Sequence, residues 1–95
     1  MNPKSATHNR IRMLILHTLA PEHPNPVDAA IVRRCLADLG YPVPAQTLRS
    51  YLEYLAERGY VRMDEREQFD ILMVSISADG LDLLDGRITD RGVGI

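Results

Sequence analysis

The sequence predicts a mainly helical α+β domain: three helices, a two-stranded β-hairpin and a short closing helix. Three observations carry that prediction. Proline and glycine stand where helices start and stop, with Asn25-Pro26 before one apolar-periodic stretch and Gly40 after it, then Pro44 before the next and Gly59 after it. Within the second stretch, Leu48, Tyr51, Leu52 and Leu55 recur at the three- and four-residue spacing of a single helix face. Beyond Gly59 that period gives way to runs rich in β-branched and aromatic residues, Tyr60 to Met63 and Phe69 to Ile76. A chain of 95 residues, 45% hydrophobic and 25% charged, suits one globular unit over residues 1–95, with a core of about 5–86 and a tail at 87–95.

The elements follow in order. Residues 1–4 read as loose, and Ser5 or Thr7 caps a first helix over 6–19 that the run PEHPNP terminates. Ile11, Leu14, Ile15, Thr18 and Leu19 form its apolar stripe; Met13 and Leu16 lie outside the stripe and call for a second packing partner. A second helix over 26–39 starts at the Asn25 cap and buries Ile31, Val32, Cys35, Leu36 and Leu39, leaving Asp28, Arg33, Arg34 and Asp38 to water. The link GYPVP is a short turn. A third helix over 44–58 packs its leucine face and presents Gln46, Arg49, Ser50, Glu53 and Glu57 on the other side. The hairpin has DEREQ as its polar tip, Ser77 caps a short helix through Leu84 or Asp85, and glycine content leaves GRITDRGVGI as an extended tail.

Three helices, the last two joined by a short turn, and then a hairpin is the order of a winged helix-turn-helix: a three-helix core, a two-stranded wing and a short C-terminal helix. The run TLRSYLEYLAERGYV, residues 47–61, resembles the recognition helix and first wing strand of bacterial winged-helix regulators. SISADGLDLLDG, residues 75–86, is similar to the wing exit of the MarR-like and PadR-like groups, so that the resemblance spans about residues 8–86. The ending LLDGRITDRGVGI also resembles a small winged-helix family encoded in Mu-like phages and prophages. These resemblances imply a double-stranded DNA-binding transcriptional regulator; the thin core of so short a chain and the extra apolar surface on the first helix and the C-terminal segment point to a homodimer. Two features depart from the pattern. The long C-terminal dimerisation helix of the MarR-like groups has no counterpart after Gly86, and the wing tip carries Asp64, Glu65, Arg66 and Glu67 where a DNA-binding wing carries cations.

Charge gives the DNA reading uneven support. The net charge is −2, whereas DNA-binding domains are typically basic. The cations concentrate early, however: Lys4, Arg10, Arg12, Arg33 and Arg34 face only Glu22 and Asp28 over residues 1–34, while the remainder is acidic. The expected reader is the third helix, with Gln46, Arg49 and Ser50 at base edges and Arg10, Arg12, Arg33 and Arg34 at phosphates. The competing assignment for Arg49 is a surface pair with Glu53 four residues on. Tyr51 and Tyr60 belong to the core, and Tyr54 is undecided between packing and base stacking.

Other classes find less in the chain. There is no glycine-rich phosphate loop, nucleophile elbow or HExxH, so the expectation is a protein that is not an enzyme and uses no cofactor. His17, His23 and Cys35 fall on separate elements without zinc-site spacing. A single cysteine, no leader and no long apolar run place the expected protein in the cytoplasm, away from membranes. The alternative is a non-catalytic protein–protein interaction module that keeps the fold without DNA binding and docks a partner through the acidic wing or the tail. Leu81 to Leu84 with Ile88, Val93 and Ile95 serve equally as a dimer seam, a docking strand or a local cover for the core.

Overall fold

The computed structural model describes residues 2–94. Its first helix, α1 (Pro3–Leu19), starts earlier than expected because the cap is Asn2, whose Oδ1 accepts the Ser5 amide at 2.8 Å, with Pro3 in the first turn. Ser5 and Thr7 are therefore inside the helix, and the Thr7 hydroxyl donates back to the Pro3 carbonyl at 2.9 Å. The second Asn-Pro pair behaves differently. Residues after Pro26 are drawn into a two-residue strand, β1 (Val27–Asp28), and Asp28 instead caps α2 (Ala29–Asp38) by accepting the Ala30 amide at 2.8 Å. Sheet pairing thus delays a helix that local propensity places at 26. Gly40, at φ +94°, closes α2, with the Tyr41 amide returning to the Leu36 carbonyl at 2.8 Å.

The third helix, α3 (Ala45–Glu57), follows Pro44 and ends at Gly59, φ +79°. Strands β2 (Val61–Arg66) and β3 (Ile71–Ile76) pair antiparallel from Val61 opposite Ile76 to Arg66 opposite Ile71. Asp64 to Arg66, expected in the tip, lie in β2, and the turn is Glu67–Phe69 with Asp70 in the left-handed region. Cross-strand pairing extends the ladder past the polar residues. Phe69, expected in a strand, consequently stands at the tip and is 67% exposed. Ser77 caps α4 (Ala78–Leu84) through the Gly80 amide at 3.1 Å. β1 pairs with the free edge of β3, placing Val27 opposite Val74, so the sheet has three strands in the order β1-β3-β2. The architecture is α+β: four helices and a three-stranded antiparallel sheet.

Ile15, Leu16, Leu19, Val32, Leu36, Leu52, Leu55 and Val74 are the fully buried core. α1 is enclosed on several sides by α2, α3, α4 and β3, and this is why Leu16, off the expected stripe, is buried without a second chain. Leu48, Tyr51, Leu52 and Leu55 are buried on α3 as their spacing requires. The inward face of α2 is narrower than expected. Val32 and Leu36 carry it, Cys35 is half-buried, and Ile31 and Leu39 are each 55% exposed. Ile31 precedes Val32 by one residue, about 100° of helical turn, which carries it off the buried face.

The C-terminal residues are not a loose tail. Arg87 to Gly94 form a strap without regular secondary structure that lies across α1 and α3. The Asn9 side chain donates to the Arg91 carbonyl at 3.0 Å, Arg12 donates to the Gly92 carbonyl at 3.0 Å, and the Gly94 amide returns to the Asn9 carbonyl at 3.1 Å. Asp90 is the hub: it accepts from the Tyr60 hydroxyl at 2.7 Å and the Gly92 amide at 2.8 Å, and pairs with Arg58 at 3.3 Å. Beside it, the Tyr54 ring lies between two guanidinium groups, Arg12 at 3.7 Å and Arg58 at 3.8 Å from its centroid. Val93 and Leu83 are buried as local cover for the core, Leu81 and Leu84 are half-buried, and Ile88 is exposed. Ile95, named with them at the sequence level, lies outside the described residues, as does Met1.

Candidate nucleic-acid interface

The residues predicted to read bases lie together on the first half of α3. Gln46 and Ser50 are exposed, one turn apart, with the Ser50 hydroxyl donating to the Gln46 carbonyl at 3.2 Å. Arg49 lies between them in sequence, its side chain 38% exposed. The start of α3 borders a cleft of about 220 Å³ between α2, α3 and the hairpin, lined by Asp28, Arg33, Gln46, Arg49, Asp70 and Leu72 among others. Arg33 is held over this cleft by its Nε, which donates to the Val43 carbonyl at 2.7 Å in the turn joining α2 and α3. α3 has no side-chain N-cap, since Pro44 occupies that position. Folding thus unites Arg33 with Gln46 and Arg49 across the turn at 39–44.

Electrostatically the cleft is mixed. Arg49 does not pair with Glu53; its Nη1 forms a close ion pair with Glu65 Oε1 on β2. Asp28 and Asp70 line the same cleft, and Glu65, Glu67 and Arg66 line the depression next to it. The contact with Glu65 has no local sequence signature. It requires α3 and the hairpin to be folded against one another, whereas spacing rules see only the same helix.

The remaining predicted cations are dispersed. Arg34 is exposed on α2 beside Ala37, Pro42 and Val43. Arg10 is exposed beside Ala6, Thr7 and Tyr41. Arg12 is committed to the Tyr54 ring, Asn9 and the strap, so it is not a free phosphate contact. Tyr51 and Tyr60 are buried; the Tyr51 hydroxyl shares a 2.5 Å hydrogen bond with His8 Nδ1, and Tyr54 stacks on arginines rather than standing clear for a base.

Among the described residues, no three His, Cys, Asp or Glu side chains gather as a metal site, and no helix is long and apolar enough to cross a membrane. Compared with protein-family models, curated proteins and solved structures, the chain matches none of them.

Proposed function

We propose that this chain is a non-catalytic winged-helix DNA-binding protein of the transcription-regulator kind, cytoplasmic, reading duplex DNA with α3 and using β2–β3 as its wing. One observation carries the reading: Gln46, Arg49 and Ser50 are grouped at the start of α3, beside Arg33 and an N-terminus with no side-chain cap. In this assignment Arg49 donates two parallel hydrogen bonds to the O6 and N7 acceptors of guanine, and Gln46 pairs with adenine. Arg33 and the first amides of α3 hold a phosphate, because a helix N-terminus carries partial positive charge and unpaired N–H donors.

The wing works against this contact. Glu65 already occupies Arg49, so binding must exchange an internal ion pair for a base edge. That pair is about half exposed and worth roughly 0.2–1 kcal/mol, less than the roughly 1–3 kcal/mol of a good base contact. The exchange is therefore favourable on the correct sequence. It discourages binding elsewhere, because non-specific DNA offers Arg49 only phosphates, with the Glu65 carboxylate close by.

The test is an anisotropy titration of duplex DNA at about 50 mM salt. Wild type is expected to bind mixed-sequence duplex weakly, and Glu65→Gln to tighten that binding about fivefold by removing both the ion pair and a phosphate-repelling charge. On a site selected from random duplexes, Arg49→Ala is expected to lose about tenfold or more. Absence of binding by both wild type and Glu65→Gln would refute the proposal. That result favours the second reading, an interaction module, which rests on the tip: Phe69, 67% exposed among Glu65, Glu67 and Asp70, suits a basic protein surface with an apolar recess.

A further inference from the structure

Of the large hydrophobic side chains that remain exposed, Ile31 stands on α2 and Leu39 at its C-cap, each 55% exposed, with half-buried Cys35 midway between them. These three positions recur every four residues. On a helix of about 100° per residue they fall within about 40° of one line, running about 12 Å along the side of α2 adjacent to Val32 and Leu36. The stripe is symmetric about Cys35. Arg34 and Asp38 lie along one edge of it, also four residues apart, and both are exposed. That spacing suits an ion pair within the helix, yet among the described residues neither side chain enters one.

We propose that α2 is the seam of a homodimer in which two copies of this helix pack antiparallel about a two-fold axis passing by Cys35. Such an axis reverses the helix while keeping each edge of the stripe against the same edge of the other copy. Ile31 then meets the partner subunit's Leu39 at the same height, Cys35 meets the partner subunit's Cys35, and Arg34 comes within reach of the partner subunit's Asp38. Symmetry makes two apolar contacts and two ion pairs from one set of residues. The charge arrangement selects this occupant: a parallel copy would turn the Arg34–Asp38 edge toward the opposite, Val32–Leu36 edge of the other helix and leave both charges without a partner. Of the apolar surplus on α1 and in the C-terminal segment that pointed to a dimer at the sequence level, Leu16, Leu83 and Val93 are buried within the chain; Ile88 and Phe69 are exposed singly, and the side of α2 is where two exposed large hydrophobics fall on one line. In this dimer Arg34 serves the seam rather than a phosphate. A single helix pair is a small contact, and the expected dissociation constant is in the micromolar range.

The experiment uses the full chain without DNA, so its outcome is independent of the DNA reading. Sedimentation equilibrium over roughly micromolar to sub-millimolar loading is expected to show a monomer–dimer equilibrium. Ile31→Glu is expected to abolish the dimer, and Arg34→Asp to weaken it about tenfold or more by placing acids against acids. Combining Arg34→Asp with Asp38→Arg restores the complementary pairs and with them the dimer. A short bis-maleimide is expected to join two chains through Cys35 in wild type and in the double variant, with a much lower yield in Arg34→Asp. Melting curves confirm that each variant is folded, since all three positions are exposed. A chain that stays monomeric throughout, or a dimer indifferent to Ile31→Glu and to charge reversal, overturns the proposal.

Discussion

Gly80→Ala is expected to destabilise the protein by about 2–3 kcal/mol, lowering its melting midpoint by roughly 10–20 °C, the scale for overpacking a tight contact in a domain of this size. Gly80 is buried in the first turn of α4, and its amide is already tied to the Ser77 cap. A Cβ there would stand 2.5 Å from the Tyr60 carbonyl oxygen and 2.6 Å from Ile76 Cγ1. Ile76 could turn aside, but the Tyr60 carbonyl is backbone and accepts the Ser77 amide at 2.9 Å, so the join between the strands and α4 must shift. Gly86→Ala is the contrasting control. Its Cβ would meet nothing within 4 Å and its cost is the left-handed backbone alone, φ +76°. A thermal melt that leaves Gly80→Ala level with wild type would show that α4 does not press on the sheet this closely.

Asp90→Ala is expected to cost about 2–3 kcal/mol as well, by releasing the strap. Removing this carboxylate leaves the Tyr60 hydroxyl and the Gly92 amide without their acceptor and deprives Arg58 of its counter-charge. The pH dependence follows from the same contacts. Burial alone pushes the Asp90 carboxyl up, but the Tyr60 hydroxyl, the Gly92 amide and Arg58 together outweigh it and hold the group below its ordinary value. Its contribution is therefore complete at neutral pH and is lost as the pH falls through that lowered value. Tyr60 moves the other way. Its hydrogen bond to Asp90, then burial, raises it to about 12, so its contribution holds below its ordinary value of 10.0 and is lost as the pH rises through about 12. In a tyrosine absorbance titration, the Tyr60 phenol should titrate at about 12 in wild type, and Asp90→Ala should return that transition toward the ordinary range, while Tyr51, which burial also raises, is unaffected. Fast exchange of the Gly94 amide, which the strap ties to Asn9, should accompany the loss. If Tyr60 still titrates at about 12 in Asp90→Ala, read against a Tyr51→Phe background, the Asp90 hub is not what raises it.

Among the candidate site residues, legibility tracked sequence distance. Gln46, Arg49 and Ser50 were placed on the solvent side of a helix by the leucine spacing opposite them, and the structure has that helix within one residue of each expected end. Arg12 shows the limit. As a cation on an amphipathic helix it reads as a phosphate contact, and only the return of residues 87–94, some eighty positions later, turns it toward Tyr54 and the Gly92 carbonyl. The partner of Arg49 was missed for the same reason: Glu53 is its neighbour on the helix, Glu65 its neighbour in space.

What the sequence determined by itself was local. The helix ends marked by Gly40, Pro44 and Gly59, the buried face of α3 and the change to strand-type composition after Gly59 all depend on interactions a few residues in range, which composition and spacing encode directly. Tertiary structure decided whatever needed two distant segments at once. β3 captured Val27 and Asp28 and delayed α2, the glycine-rich ending became a strap because Asn9, Arg12 and Tyr60 were waiting to hold it, and Ile31 and Leu39 stayed uncovered because the core reached only Val32 and Leu36. A helix-forming segment has a face whichever neighbours it meets; which part of that face is buried depends on what the rest of the chain brings against it.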